Sequence, residues 1–127
     1  MQMKNVSEIL RMVGATAEFL FAEVNDINQR GCFGDTPLHV VCSWGDVDAV
    51  DALISAGADI NAKGELGKTP LFSAVIGGSV AVLDRLLVAG ADPAIQDEDG
   101  NTVLQFARAL NYGSSPIIER LVKLFES

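Results

Sequence analysis

The chain has 127 residues, of which 49% are hydrophobic and 20% are charged. These fractions match those of globular domains and exclude a disordered or fibrous chain, while the length predicts one domain with its own core. Nine Lys and Arg residues against 17 Asp and Glu residues give a formal net charge of −8. Such acidity argues against nucleic acid or an anionic membrane surface as the main partner.

Cysteine content and the lack of long apolar runs bear on the cellular compartment. Cys32 and Cys42 are the only cysteines and have no CxxC spacing, which excludes a disulfide framework. The longest charge-free run near the N-terminus, Met12 to Ala17, is shorter than a signal-peptide core, and no segment approaches the roughly 20 apolar residues of a spanning helix. We expect a cytoplasmic protein without membrane contact, and a monomer.

Residues 1–30 contain apolar side chains without a clear turn motif between them. These apolar positions are Ile9, Leu10, Phe19, Leu20 and Phe21. They predict a pair of helices that caps one end of the structure.

Residues 31–63 contain signals for two short helices. Thr36 is a typical N-cap, and Pro37 follows at the first helical position, where a missing N–H costs nothing. The first helix should run to Gly45, after which Asp46 can cap a second helix that ends at Gly57. Apolar residues recur at helical spacing in this second helix, at Val47, Val50, Leu53 and Ile54.

The same signals recur 33 residues later. Thr36-Pro37-Leu38-His39 returns as Thr69-Pro70-Leu71-Phe72 and then as Thr102-Val103-Leu104-Gln105, while GADIN at 57–61 returns as GADPA at 90–94. We therefore divide the chain into a cap (1–30), two repeats (31–63 and 64–96) and a C-terminal capping repeat (97–127). In the last unit, an insertion at 111–115 displaces the second helix by two residues, so that Leu121 takes the place of Leu53 and Leu86.

A repeating pair of helices with these motifs resembles the ankyrin repeat family. The resemblance covers residues 31–127 directly and residues 1–30 as a degenerate repeat. It implies an all-α solenoid of about four stacked units joined by β-turns or hairpins. It also implies structural turn roles for Thr36, Pro37, His39, Thr69 and Pro70. In the family, the His of TPLH ties neighbouring turns together through backbone hydrogen bonds; Phe72 and Gln105 leave that network complete only at His39.

No constellation in the sequence indicates catalysis. His39 is the only histidine, so no second Ser–His or Cys–His pair exists. Gly64 to Thr69 lacks the glycine spacing of a phosphate loop, and Asp97 to Gly100 lacks the remaining ligands of a calcium loop. We predict that the protein is not an enzyme and has no catalytic residue, cofactor or metal site.

The resemblance implies partner binding along the turn tips and the exposed faces of the first helices. Carried over by position, the candidate partner-binding residues are Phe33, Asp35, Trp44, Glu65, Leu66, Lys68, Ile76, Glu98, Asp99 and Asn101. Four of these are apolar at places where the family tolerates any residue, and Trp44 is the best single candidate. The alternative is that Trp44 folds down between repeats and that Phe33 packs along the neighbouring turn.

The leading functional hypothesis is a non-catalytic module that binds another protein, and the acidic surplus favours a basic partner. One specific version is an immunity or antitoxin-type inhibitor that covers the active site of a basic toxin, and the other is an adaptor that tethers two proteins. Nucleic-acid binding is the hypothesis from another class, and the net charge disfavours it.

Overall fold

The computed structural model describes residues 5–20, 23–110 and 115–126. Within these ranges all regular structure is helical and no strand occurs, which confirms the all-α prediction. The helices are α1 (Val6–Gly14), α2 (Pro37–Trp44), α3 (Val47–Ser55), α4 (Pro70–Gly77), α5 (Val80–Val88), α6 (Val103–Ala109) and α7 (Pro116–Glu126). Short 3₁₀ turns lie at Ala17–Phe19 and Glu65–Gly67.

Helices α2 to α7 form three pairs that stack in a row. The first helices of the pairs pack on one another as α2 on α4 on α6, and the second helices as α3 on α5 on α7. Leu53, Leu86 and Leu121 are fully buried in the second row. Leu121 is buried although it lies two residues further from Thr102 than Leu53 and Leu86 lie from Thr36 and Thr69.

The predicted caps explain where the second helices begin and end. Asp46 Oδ1 accepts the N–H of Ala49, and Ser79 Oγ accepts the N–H of Val82, both at 3.1 Å. Gly57 and Gly90 follow the last turns with φ of 97° and 105°. There the chain forms the Schellman pattern, in which the N–H groups of both glycines bond back into the helix. Each pair therefore turns sharply into the next unit.

The N-terminal cap departs from the predicted pair of helices. Within residues 5–20, α1 packs against both α2 and α3, but only the 3₁₀ turn Ala17–Phe19 follows it. The reason is that this segment bonds to the first turn instead: the Glu18 carbonyl accepts the N–H of Cys32 at 2.8 Å. Ile9 and Phe19 are buried as expected, Leu20 is exposed, and Phe21 lies outside the described residues.

The C-terminal unit follows the prediction where the structure describes it. Ser115 Oγ caps α7 by accepting the N–H of Ile118 at 3.2 Å, and Ile117 is buried. The rest of the predicted insertion, 111–114, lies outside the described residues.

An ion pair recurs between successive second helices. Arg85 Nη1 lies 3.1 Å from Asp51 Oδ2, and Arg120 Nε lies 2.7 Å from Asp84 Oδ1 at the equivalent place one unit later. Arg120 therefore links α7 to α5. Both pairs are partly exposed and contribute little energy.

Three tips project from the same edge of the stack: tip 1 (31–35), tip 2 (64–68) and tip 3 (97–101). Each is closed by a backbone bond from its first residue to the carbonyl of its fifth, at 2.8, 2.8 and 2.9 Å. None of the helices in the described part of the chain has both the length and the hydropathy of a membrane span.

Candidate protein-binding surface

His39 connects tip 1 to tip 2. Its Nδ1 accepts the backbone N–H of Thr36 at 3.0 Å, and its Nε2 lies 2.9 Å from the carbonyl of Lys68. Because an amide N–H only donates and a carbonyl only accepts, the ring is neutral with its hydrogen on Nε2. Thr36 is the N-cap of α2, and Pro37 is the first residue of that helix.

Burial lowers the pKa of His39, because the protonated ring would lose its hydration. The Asp35 charge and the bond to the Lys68 carbonyl oppose this shift, and the Arg30 charge adds to it. A second proton would also sit on Nδ1 and face the Thr36 N–H. His39 is therefore held in its neutral form as a structural donor and acceptor.

The two later units have no histidine at the position of His39. Gln105 reproduces half of the arrangement, because its Oε1 accepts the N–H of Thr102 at 2.8 Å. Phe72 cannot accept a hydrogen bond, and Thr69 Oγ1 is buried without a partner among the described residues. In the described part of the chain, the arrangement is complete at His39 and partial at Gln105, and the sequence prediction overlooked the partial one.

Lys68 links tip 2 to tip 3 where the histidine is missing. Its Nζ lies 3.2 Å from Asp97 Oδ2, and 5.1 and 5.9 Å from the ring centres of Phe106 and Phe72. Burial by itself would raise the pKa of Asp97, but the bond from the Asn101 N–H and the Lys68 ammonium hold it below its ordinary value. An ion pair flanked by aromatic rings therefore replaces the imidazole.

Each tip is filled by a carboxylate that comes from a different place. In tip 3, Asp97 Oδ1 accepts the N–H groups of Asp99 and Asn101. Tip 1 has Gly31 at the first position, and Glu18 Oε2 reaches in to accept the N–H groups of Phe33 and Asp35.

Tip 2 also begins with a glycine, Gly64, and there Asp35 Oδ1 accepts the N–H of Glu65 at 2.9 Å. A Cβ at Gly31 or Gly64 would collide with these carboxylates. Sequence analysis missed Glu18; the signal was glycine at positions 31 and 64, where position 97 has Asp.

Four apolar side chains stand exposed on this side of the stack. The exposed fractions are 58% for Phe33, 55% for Leu66, 54% for Ile76 and 41% for Trp44. Trp44 is the least exposed of the four. Leu66 has φ of 57°, a left-handed conformation that non-glycine residues seldom adopt. Its carbonyl accepts the N–H of Glu98 at 2.9 Å, which holds the strained residue in place.

A depression of about 210 Å³ lies between tip 2 and α4. Half of the predicted partner-binding residues line it, namely Asp35, Glu65, Leu66, Lys68 and Ile76. Phe33 lies on the adjacent tip, and Trp44 lies at the far end of α2 outside the lining. The structure therefore brings part of the predicted set together around Leu66 and Ile76 rather than around Trp44.

A family model for ankyrin repeats, with three copies, matches residues 10–97. The chain belongs to the ankyrin repeat family. A comparison with curated proteins finds no match. Ankyrin repeats are generally protein–protein interaction modules, and the family is typically non-catalytic. The helix pair α6–α7 lies beyond the matched residues and continues the same stacking.

The remaining candidate residues on the tips of this ankyrin repeat protein differ in how far their side chains are exposed and free of internal contacts. Glu98 and Asp99 are exposed on tip 3, whereas Asn101 is half-buried. The side chains of Asp35 and Lys68 are half-buried and make the internal contacts described above. Glu98, Asp99 and Glu65 make no ion pair with any residue in the described part of the chain.

One group of acidic residues has the spacing of metal ligands. Oxygens of Glu18, Asp35 and Glu65 lie within 4.8 Å of one another. Backbone N–H groups already bind one oxygen each of Glu18 and Asp35, which explains why these carboxylates converge. Both therefore serve as hydrogen-bond acceptors for the tips.

Proposed function

We propose that this ankyrin repeat protein is a non-catalytic module that binds a partner protein through its tips and the exposed faces of α2 and α4. The observation that carries the proposal is the depression between tip 2 and α4, where Leu66 and Ile76 are both more than half exposed. Exposed apolar side chains grouped on one face are typical of an interface.

The backbone of Leu66 supports the same surface. A leucine in the left-handed region costs roughly 1 kcal/mol or more relative to glycine or asparagine, which occupy such positions readily. A residue that keeps an apolar side chain at a strained tip suits recognition better than stability. Phe33 holds a similar place on tip 1 and would extend the surface.

Two variants in the depression, called the face variants, and one control variant outside it test this proposal. Leu66→Asn and Ile76→Asn remove exposed apolar groups from the depression, and Val88→Asn removes an exposed one from α5, where Val88 is 88% exposed. Immobilised wild type and variants are incubated with lysate from the native source, and captured proteins are quantified by mass spectrometry. We expect a partner that Val88→Asn retains and that each face variant loses at least tenfold. Equal capture by all four proteins would contradict the proposal.

A second candidate, an inhibitor of a basic toxin, is favoured by the net charge of −8. The captured partner would then be a basic enzyme whose activity falls on complex formation and returns with Ile76→Asn. An adaptor would instead leave its partner's activity unchanged. The proposal includes a monomeric cytoplasmic chain organised as a cap (1–30), two repeats (31–63 and 64–96) and a capping repeat (97–127).

A further inference from the structure

The size of the depression limits what it can hold. Its volume of about 210 Å³ is below the roughly 300–1,000 Å³ of typical small-molecule sites. A single side chain of a partner fits such a volume better than a cofactor does. The polarity and charge of the residues that line the depression therefore indicate which side chain it holds.

The walls combine apolar surface with negative charge. Leu66 and Ile76 supply the apolar part, and Asp35 and Glu65 bring carboxylates to the same depression. Glu18 adds a third carboxylate within 4.8 Å of these two. One oxygen of Asp35 accepts the Glu65 N–H, and the other has no partner among the described residues.

Positive charges nearby do not balance these carboxylates. The Lys68 ammonium is held by Asp97, so the two charges cancel. The Arg30 guanidinium bonds to the carbonyls of Gly34 and Lys63 and leaves one positive charge at the edge. Three carboxylates against the guanidinium of Arg30 and the ammonium of Lys63, which directly precedes tip 2, still leave a negative local sum, in keeping with the charge of the whole chain.

We propose that the depression receives an arginine side chain of the partner protein, which rests on the proposed function of this surface. The methylene stem of arginine packs on apolar side chains such as Leu66 and Ile76 while its head stays polar. The planar guanidinium can pair with Glu65 and Asp35 through parallel hydrogen bonds. It is also less strongly hydrated than a lysine ammonium, so that arginine is favoured over lysine.

Peptide selection on the intact chain tests this assignment. A random peptide library displayed on phage is panned on wild type, and clones that fail to bind Ile76→Asn are kept. Each selected peptide is then synthesised with arginine, citrulline or norleucine at its basic position. Citrulline has the shape of arginine without its charge, and norleucine keeps only the apolar stem.

The proposal predicts that selected clones share an arginine and that citrulline raises Kd at least tenfold, as for the loss of a charge-assisted bond. Glu65→Gln should weaken the arginine peptide about threefold or more and leave the citrulline peptide unchanged. The matched control, Glu119→Gln at an exposed position of α7 away from the tips, should change either Kd less than twofold. Melting temperatures equal to wild type show that both variants are folded.

Other outcomes separate this proposal from the proposed function. Face-dependent peptides that lack arginine, or that bind equally well with citrulline, overturn the arginine site and leave a protein-binding surface in place. Clones that bind wild type and both face variants equally count against the surface itself. A wild-type chain that sediments as a dimer, and becomes monomeric in Ile76→Asn, would make a second copy the occupant and overturn the proposal.

Discussion

The buried side-chain link between tips 1 and 2 is a neutral hydrogen bond, whereas the buried side-chain link between tips 2 and 3 is an ion pair. His39 makes the first connection through the Lys68 carbonyl, and Lys68 makes the second through the Asp97 carboxylate. All three tips share the same closing backbone bond, and tip 2 differs from the others in the left-handed conformation of Leu66. The repeat therefore requires a buried link between neighbouring tips but does not require a particular chemistry for it.

The two connections differ in what their loss leaves behind. Removing an imidazole leaves neutral backbone groups without a partner, while removing one half of a buried ion pair leaves a charge. Side-chain exposure is 17% for Lys68 and 1% for Asp97, so neither group is readily solvated. The second connection should be the more costly one to break.

Asp97→Ala is expected to have the largest effect on stability. It leaves the Lys68 ammonium half-buried without its carboxylate and frees the N–H groups of Asp99 and Asn101, at a cost of about 3 kcal/mol. Urea unfolding followed by circular dichroism measures the change. The exposed neighbour variant Asp99→Asn should stay within about 0.5 kcal/mol of wild type. Similar losses in the two variants would show that the ion pair is not the decisive contact.

His39 can be replaced by the residues that stand at its position in the other two units, phenylalanine as in Phe72 and glutamine as in Gln105. His39→Phe loses the bonds to Thr36 and to the Lys68 carbonyl and should cost about 2 kcal/mol. His39→Gln can keep the bond to the Thr36 N–H, as Gln105 does with Thr102, and should cost about half as much. Unfolding free energies in urea check this order, and a glutamine variant less stable than the phenylalanine variant would contradict it.

The first connection should also depend on pH. Since burial lowers the pKa of His39, the unfolded chain binds a proton more readily than the folded one, and stability falls as the pH drops below about 6.5. Asp97 is an acid whose pKa is lowered in the folded chain. Its contribution to the free energy of unfolding is therefore present above pH 3.8 and is lost only at lower pH. Between pH 7.5 and 5, only the His39 effect operates at these two links.

The measurement compares wild type with His39→Gln across that pH range. The difference in unfolding free energy should be largest at pH 7.5 and should narrow towards pH 5, because the glutamine does not titrate. A constant difference would mean that His39 binds its proton equally well in the folded and unfolded states.

The stack was predictable because its signals are local and repeat with a fixed period. Thr-Pro pairs begin α2 and α4, Asp46 and Ser79 cap α3 and α5, and identical spacing places Leu53 and Leu86 in the core. The cap was less predictable, since no repeat register specifies what Glu18 does. Its structure depends on a contact with tip 1, which is distant in sequence.

The candidate surface was predictable in position but not in detail. Counting along the repeat placed Phe33, Leu66 and Ile76 outside the core, and the structure agrees. Spacing alone does not reveal that the Lys68 ammonium pairs with Asp97, that Leu66 adopts a left-handed φ, or that Trp44 lies outside the depression. These depend on side-chain directions and on neighbouring tips, which a repeat pattern does not encode.

The smallest expected effect gives the sharpest comparison. Replacing the N-cap threonine by valine should lower the free energy of unfolding in the first unit and raise it in the second. Thr36 Oγ1 lies 2.9 Å from His39 Nδ1, so Thr36→Val should cost about 1 kcal/mol. Thr69 Oγ1 is buried without a partner in the described part of the chain, because Phe72 replaces the histidine. Thr69→Val removes that unsatisfied hydroxyl and should stabilise the protein by up to about 1 kcal/mol. Thermal melting and urea unfolding of both variants provide the test. Equal destabilisation would mean that the Thr69 hydroxyl does have a partner, such as a bound water. The link between tips 2 and 3 would then include a hydrogen bond of Thr69 besides the ion pair.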